Sequence, residues 1–343
     1  MCYNNGMIVS LILTVRNEAE ALPRLLDSIA AQTRAPDEII VVDGGSSDTT
    51  LDVLHAYAHH LPLKILTEPG ANISQGRNIA IRAACGDIIC STDAGVRLEP
   101  CWVEELVKPL EDQRRKTEDG NELESTLPPP PFTTDVVAGF FVPDPRSIFE
   151  TALAATTLPL LADIQPAKFL PSSRSIAFRK SAWEKVNGYP EWLDFCEDLV
   201  FDFDLIEAGL HFAFAPQAVA HFRPRENLRA FFKQYYQYAR GDGKANLWFL
   251  RHIIRYATYL LALPLLIAVT WTSPLLSLPL WLIAAMSMFL TPYRLLALVL
   301  GTYSMMDRLR AIIWVPIIRI TGDAAKMIGY PVGVVWTTRH RKR

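Results

Sequence analysis

Short apolar runs alternate with stretches of helical periodicity through the first part of the chain, and each run closes on a polar turn. Residues 7–14, 38–42, 64–67 and 87–91 have strand length and strand chemistry, and residues 18–32, 49–59 and 73–84 lie between them. Leu22, Leu25, Leu26 and Ile29 fall on one face of the first of these helices. A run that is apolar throughout, without polar alternation, is buried on both faces, and such strands belong to parallel sheets covered by helices. The pattern predicts an α/β fold built on a doubly wound, mostly parallel, Rossmann-like sheet. Open sheets of this kind bind ligands outside the carboxyl ends of their strands. The residues that close the strands are therefore where chemistry is sought.

The alternation breaks at residues 111–135, which are charged and then carry Pro128-Pro129-Pro130-Pro131, the composition of an exposed, mobile insertion loop. An apolar strand resumes at 136–142. Beyond Arg251 the composition changes again. Residues 253–272 hold one charge, Arg255, and residues 274–290 hold none. Each stretch is near the length that crosses a hydrocarbon core. Only Thr272-Ser273-Pro274 separates them, so they read as a transmembrane helical hairpin. Arg251 and Arg255 precede it, Arg294 follows it, and the turn is uncharged. The positive-inside rule then puts both flanks on the cytoplasmic side. The shorter apolar stretches 295–306 and 311–320, interrupted by basic residues, are expected to lie as helices in the interface. The terminal Arg339-His340-Arg341-Lys342-Arg343 suits anionic headgroups. The expected organisation is a domain over 1–245 facing the cytoplasm and a membrane region over 246–343, multi-pass in the cytoplasmic membrane.

A net charge of −2 gives no general polyanion-binding signal, so nucleic acid is not an expected partner. The cysteines Cys2, Cys85, Cys90, Cys101 and Cys196 have neither zinc-site nor disulfide-framework spacing. They read as buried, reduced thiols of a cytosolic domain. The amino terminus lacks the basic start and long apolar core of a signal peptide.

Two acidic patches carry the chemistry. Ser91-Thr92-Asp93-Ala94-Gly95 ends the fourth strand, where a carboxylate can reach a divalent cation that bridges two phosphates. Far along the chain, Glu197-Asp198 offers a carboxylate that can take a proton from an attacking hydroxyl. Asp202 and Asp204 follow in the same expected helix and read as solvated acids. The first strand closes on Thr14-Val15-Arg16-Asn17-Glu18, where Asn17 or Glu18 either caps a helix or holds a base or ribose. Asp43, before Gly44-Gly45, either forms a turn or accepts a pyrimidine imide or ribose hydroxyl. Asp48 caps or supports that turn. Arg77, near a helix start, is either a surface arginine or a cation facing a diphosphate. His221, after an apolar run, is either a metal ligand or a core histidine. The aromatic helix from Phe231 to Tyr238 suits a platform at the membrane surface.

In order and spacing these residues resemble family 2 glycosyltransferases, inverting enzymes of the GT-A fold, over residues 8–245. The resemblance rests on Thr14-Val15-Arg16-Asn17-Glu18, Val41-Val42-Asp43-Gly44-Gly45-Ser46-Ser47-Asp48-Thr49-Thr50, Gly76-Arg77-Asn78, Thr92-Asp93-Ala94-Gly95 and Glu197-Asp198, with Asn187-Gly188-Tyr189-Pro190 matching an acceptor-side segment. It implies that the Val15 backbone, Glu18 and Asp43 hold the nucleoside and that Arg77 sits near the diphosphate. It makes Asp93 the first acid of the Asp-x-Asp metal motif and Asp198, beside Glu197, the base. Arg174, within Ser172–Ser175, is expected in the sugar pocket. The implied cofactor is magnesium or manganese. The implied partners are a nucleoside diphosphate sugar, with UDP-sugar favoured, a lipid-linked or saccharide acceptor, and membrane lipids.

The chain departs from the family pattern twice. Gly95 stands where the second acid of Asp-x-Asp would be, which leaves His221 or water to complete a metal shell. The Gln-x-x-Arg-Trp signature of processive polymerases is missing, with Gln234 and Arg240 near its place. A membrane-anchored enzyme that adds one sugar is therefore expected. The alternatives are a polyprenyl-phosphate sugar synthase and, from another class, a non-catalytic nucleotide-binding membrane scaffold. The transferase expectation requires folding to bring Glu197-Asp198 within a sugar's width of Asp93.

Overall fold

The computed structural model describes residues 7–118 and 133–340, with side chains omitted over 112–118. The amino-terminal hexapeptide with Cys2, residues 119–132 of the expected insertion, and Arg341-Lys342-Arg343 lie outside the described residues. The chain forms two compact units, Met1–Val142 with Leu161–Phe222, and Pro143–Leu160 with Arg223–Arg343.

In the first unit the strands and helices follow in the order β1 (Val9–Val15), α1 (Leu22–Ala30), β2 (Glu38–Asp43), α2 (Thr50–Tyr57), β3 (Leu63–Thr67), α3 (Ile73–Ala83), β4 (Ile88–Asp93), β5 (Val96–Leu98), α4 (Trp102–Glu118) and β6 (Val136–Pro143). The chain then makes α5 (Ile148–Thr157), which belongs to the second unit, and returns with β7 (Ile176–Arg179), α6 (Lys180–Lys185), α7 (Glu197–Glu207) and β8 (Phe212–Phe222). Among the described residues eight strands form one sheet in the order β3-β2-β1-β4-β7-β6-β8-β5. The β1–β2, β1–β4 and β2–β3 pairs are parallel, as the apolar runs predict. The β4–β7, β6–β7 and β5–β8 pairs are antiparallel, so the sheet is mixed.

Side-chain alternation along β1 divides the core. Val9, Leu11, Leu13 and Val15 pack on one face with Leu25, Leu26 and Ile29 of α1 and with Trp102 and Leu106 of α4. Ile12 faces the other way, with Ile40, Val42, Ala80, Phe178 and Phe201. Each fully buried Leu or Ile contributes about 1.5–3 kcal/mol. Helix α1 starts later than its periodicity suggests. Asn17 takes a left-handed φ of 55°, a turn follows, and Pro23 fits the first helical turn, where its missing N–H costs nothing. Strand β4 runs on to Asp93 because Thr92 and Asp93 pair in register with Leu13 and Thr14 of β1.

The second unit is helical: α5, α8 (Leu228–Lys244), α9 (Phe249–Ala257), α10 (Leu263–Thr272), α11 (Pro274–Val299) and α12 (Met305–His340). A π-helical turn over Thr258–Ala262 joins α9 to α10. Two stretches read from sequence as separate short helices belong to longer elements. Residues 295–299 end α11, and residues 311–320 lie inside α12, which continues through Pro316 and Pro331. Helices α8 and α12 approach closely. A Cβ at Gly329 or Gly333 would fall 2.3 or 2.1 Å from the carbonyl oxygens of Tyr236 and Arg240. Among the described residues two helical stretches, Phe249–Thr272 and Pro274–Thr302, are long and apolar enough to cross a membrane, and both are almost unburied.

Candidate active site

The strand-closing residues meet at one edge of the sheet. Val15 pairs with Asp43 across β1–β2, and Thr14 pairs with Asp93 across β1–β4. The strands grow outward in one direction from β1 to β3, and β4 then takes β1's other side. The crevice beside β1 and β4 is therefore the topological switch point, where open α/β sheets take ligands.

The turns after β1 and β2 form one hydrogen-bonded assembly. Asp43 is fully buried, and its carboxylate accepts from the N–H groups of Gly45 and Ser46 and from the Ser46 hydroxyl. Asn17 Oδ1 accepts from the Ser47 N–H at 2.8 Å, and the Asn17 N–H donates to Ser46 Oγ at 2.9 Å. Glu18 donates its N–H to Thr50 Oγ1, and Asp48 accepts from Ala19 and Thr50. The Val15 carbonyl accepts from Gly44. Neither Asn17 nor Glu18 caps α1, whose N-cap is Ala21. Val15, Glu18 and Asp43 thus share one ordered corner at the carboxyl edge.

Arg77 joins the two acidic patches. Helix α3 begins with a capping box between Asn72 and Gln75, which fixes its first turn. Arg77 is 3% exposed; its Nη2 donates to Asp93 Oδ1 at 3.0 Å and its Nη1 to Glu197 Oε1 at 2.6 Å. The guanidinium carbon lies 5.3 Å from the centroid of the Tyr189 ring. Arg77 is therefore not a solvated surface cation. A single buried guanidinium holds positions 93 and 197 together, so the proximity the sequence required is present. Gly76 and Asn78 flank it and are buried too. Asn78 donates to the Tyr189 carbonyl and to Glu191 Oε1, and its Oδ1 accepts from Trp183 and from the Tyr189 N–H.

Cys196 precedes the second patch with a left-handed φ of 64°, and Glu197 and Asp198 then occupy the first turn of α7. Burial pushes the Glu197 carboxyl up to about 7, and neighbouring Asp198 adds to the rise against the pull of Arg77. Burial also raises Asp198, while Arg77 opposes it. Asp202, read from sequence as solvated, is buried at 1% exposure, and burial with the Asp198 charge holds it well above the usual carboxylate range. Asp204 is partly exposed.

Arg174 also lies beside Asp93, with its Nε 3.6 Å from Asp93 Oδ2. Its guanidinium stacks over Phe222 at 4.4 Å and Phe141 at 5.3 Å. Ser173 and Ser175 point inward, Ser173 to the Tyr189 hydroxyl and Ser175 to the Ala218 carbonyl. His221 pairs with Glu99. Among the described residues no three His, Cys, Asp or Glu side chains form a metal cluster. Asp93, a third exposed, is compatible with a magnesium-type ion, which is commonly held by one or two carboxylates plus substrate phosphates. Among the described residues the cysteines form no disulfide: Cys90 and Cys196 are buried, Cys101 is half-buried, and Cys85, contrary to expectation, is exposed.

Sequence reasoning placed Arg77 and Arg174 near the donor but did not find the bridge or the burial of Asp202. The signal for the bridge was slight: an arginine on the same helical face as buried residues of α3.

Residues 10–121 match the profile described as Glycosyl transferase family 2, and residues 165–306 match that of Glycosyl transferase family group 2. The chain is 25% identical over 232 residues to the O-antigen chain rhamnosyltransferase RfbN of Salmonella typhimurium, covering 66% of this chain and 71% of that protein. It is 37% identical over 111 residues to the undecaprenyl-phosphate 4-deoxy-4-formamido-L-arabinose transferase of Serratia proteamaculans, covering 30% of this chain and 34% of that one. Its fold resembles that of the mannosyltransferase PcManGT from Pyrobaculum calidifontis, solved with GDP-Man and Mn2+, at a TM-score of 0.54 and 18% identity, covering 98% of this chain and 88% of that chain.

Proposed function

Because this chain belongs to glycosyltransferase family 2, we propose that it moves one sugar from a nucleoside diphosphate sugar, with a uridine diphosphate sugar favoured, to a lipid-linked or membrane-proximal acceptor. An acceptor hydroxyl oxygen forms the new bond to the anomeric carbon as the bond to the diphosphate oxygen breaks. The hydroxyl proton passes to Asp198, and the departing nucleoside diphosphate keeps the electron pair. Attack in line from the opposite face inverts the anomeric configuration.

The observation that supports this reading best is the Arg77 bridge, which sets Glu197-Asp198 against Asp93 at the carboxyl edge of the sheet. In this reading the Val15–Glu18 and Asp43 corner frames the nucleoside. Arg174, beside Asp93 and stacked on Phe222, lines the sugar pocket. Arg77 acts through Asp93 and Glu197 as a positioning residue. Asp93 is the residue that would hold magnesium or manganese, and the ion when bound would counter charge on the leaving diphosphate. We assign no metal role to His221, which is taken by Glu99. The stretches Phe249–Thr272 and Pro274–Thr302 would anchor the chain in a membrane, with the sheet domain on the cytoplasmic side.

Replacing Asp198 with Asn is expected to lower turnover by about 10²–10⁴-fold, while calorimetry shows nucleotide binding intact. Wild-type turnover in this variant would remove the assigned base. Asp93→Ala is expected to weaken donor binding with manganese present, with little change when chelator is added. Proton NMR of the product's anomeric centre tests inversion.

A second reading, in which the acceptor is a polyprenyl phosphate, is favoured by the Serratia relative, whose name includes undecaprenyl phosphate. A phosphate acceptor is already ionised and needs no base. Full activity of Asp198→Asn on a prenyl phosphate would select it.

A further inference from the structure

The second unit contains a cavity of about 110 Å³ lined by Thr156 and Thr157 of α5, Tyr235 of α8, and Arg319, Asp323 and Lys326 of α12. That is room for several waters or a small anion, since one water occupies about 30 Å³ of liquid. Its charges are unevenly matched. Asp323 is the cavity's carboxylate, and Arg255 bonds it from outside, Nε to Oδ1 at 2.7 Å. The Tyr259 hydroxyl takes the other oxygen at 2.9 Å. Arg319 is left 3.6 Å from that oxygen, and its Nε is buried without a hydrogen-bond partner. The Lys326 ammonium lies over the Tyr235 ring, 4.7 Å from its centroid. Asp242 of α8 adds a negative charge felt by Lys326 and is itself paired with His252. The Thr156 and Thr157 hydroxyls donate back to the carbonyls of Ala152 and Leu153. Recognition in the cavity therefore falls to the two cations.

We propose that this cavity binds a phosphate ester, with Arg319 and Lys326 gripping the phosphate oxygens. A buried orphan guanidinium N–H is costly, and a phosphate would satisfy it with a charge-assisted hydrogen bond. Burial lowers the Lys326 ammonium to about 8, with Arg255 adding to the drop, so an anion alongside would restore its charge. The same unit carries the unburied apolar stretches Phe249–Thr272 and Pro274–Thr302. A phosphate carried on a lipid thus fits the surroundings, and a free phosphate shares its chemistry. Identifying the ester with the charged end of the acceptor rests on the transferase reading above; the anion site itself does not.

The test is calorimetry on the full chain in nonionic micelles, with farnesyl phosphate, farnesol and inorganic phosphate as probes. Farnesyl phosphate is expected to bind and farnesol not. Arg319→Gln and Lys326→Gln are each expected to weaken binding by about ten- to a hundred-fold, the loss of one charge-assisted hydrogen bond. Nucleotide binding, measured on the same samples, should be unchanged. Displacement of farnesyl phosphate by inorganic phosphate would show that free anions share the site, and failure to displace would assign it to lipid-borne phosphate; both support an anion site. Equal binding of farnesol, or unaltered farnesyl phosphate affinity in both variants, would overturn the proposal. If either variant loses nucleotide binding, Arg319→Lys and Lys326→Arg replace it, with a weaker but measurable loss expected for the fork-shaped Arg319. A wild-type chain that binds farnesyl phosphate but transfers no sugar would defeat the transferase reading and leave this site standing.

Discussion

A carboxylate 2.6 Å from a guanidinium is normally held ionised, yet Glu197 lies well above its ordinary value. Burial and the adjoining Asp198 together outweigh Arg77, which also pairs with Asp93. Two consequences follow from a value near 7. If Glu197 must ionise before Asp198 can accept a proton, kcat/KM rises with pH through about 7 and falls away in acid. Glu197→Gln removes one of the two like charges and should move that limb to lower pH. The stability effect has a definite sign. Between the ordinary 4.5 and about 7 the folded state holds a proton that the unfolded chain releases. Stability from this group is thus complete below 4.5 and is lost as pH rises through 7, a change of about 3 kcal/mol at about 1.4 per pH unit. Denaturation midpoints of the wild type should fall from pH 5 to pH 8 by more than those of Glu197→Gln. Equal falls would mean that Glu197 is ionised throughout.

At the scale of elements, the triplet Gly76-Arg77-Asn78 ties α3 to segments more than a hundred residues away in sequence. Arg77 reaches Glu197, and Asn78 holds the turn at Tyr189 that precedes α7. Asn78→Ala removes four hydrogen bonds and leaves the buried backbone of Tyr189 and the half-buried Trp183 indole without these partners. A loss of about 2–4 kcal/mol is expected in chemical denaturation, with a turnover defect larger than the change in nucleotide affinity, because α7 carries the acids. This triplet also marks the limit of sequence reading. Strands β1, β2 and β4 were legible because an unbroken apolar run states burial on both faces, whereas β3, read the same way, is an edge strand and only partly buried. Asp43 and Asp93 were legible as strand-closing residues because strand length fixes where a run ends. In the antiparallel half β6 was legible as the apolar run 136–142, but β7 and β5 were not, since they are four and three residues long, too short to show a period. Arg77 was placed near the donor, but its bridge depends on where α7 returns. Asp202 looked like one acid among several on a helix, and only the packing around α7 shows that it is buried.

At the scale of the whole chain, the apolar surface left uncovered by the fold decides where the protein can reside. A soluble protein buries its most apolar helices, but here Trp271 is 85% exposed and Leu275 83% exposed, with Leu261 and Met286 more than half exposed. Water is a poor solvent for so large a continuous apolar patch, whereas a hydrocarbon core is a good one. The hairpin is held by its own contacts, including Trp281 Nε1 donating to Thr270 Oγ1 at 3.0 Å, so it can enter a bilayer as a unit. The chain is therefore expected to stay in the membrane pellet through alkaline carbonate extraction and to leave it only with detergent. Leu261→Asp combined with Met286→Asp puts a carboxylate near the middle of each stretch, at about 2.5–3.5 kcal/mol apiece, and should shift the chain to the supernatant or to aggregates. Orientation has a separate readout. Cys85 is exposed on the sheet domain, so a membrane-impermeant maleimide should label it in inverted vesicles from an expressing bacterium and spare it in intact spheroplasts. Labelling in intact spheroplasts would place the sheet domain outside the cytoplasm, away from the nucleotide sugars on which the proposed reaction draws.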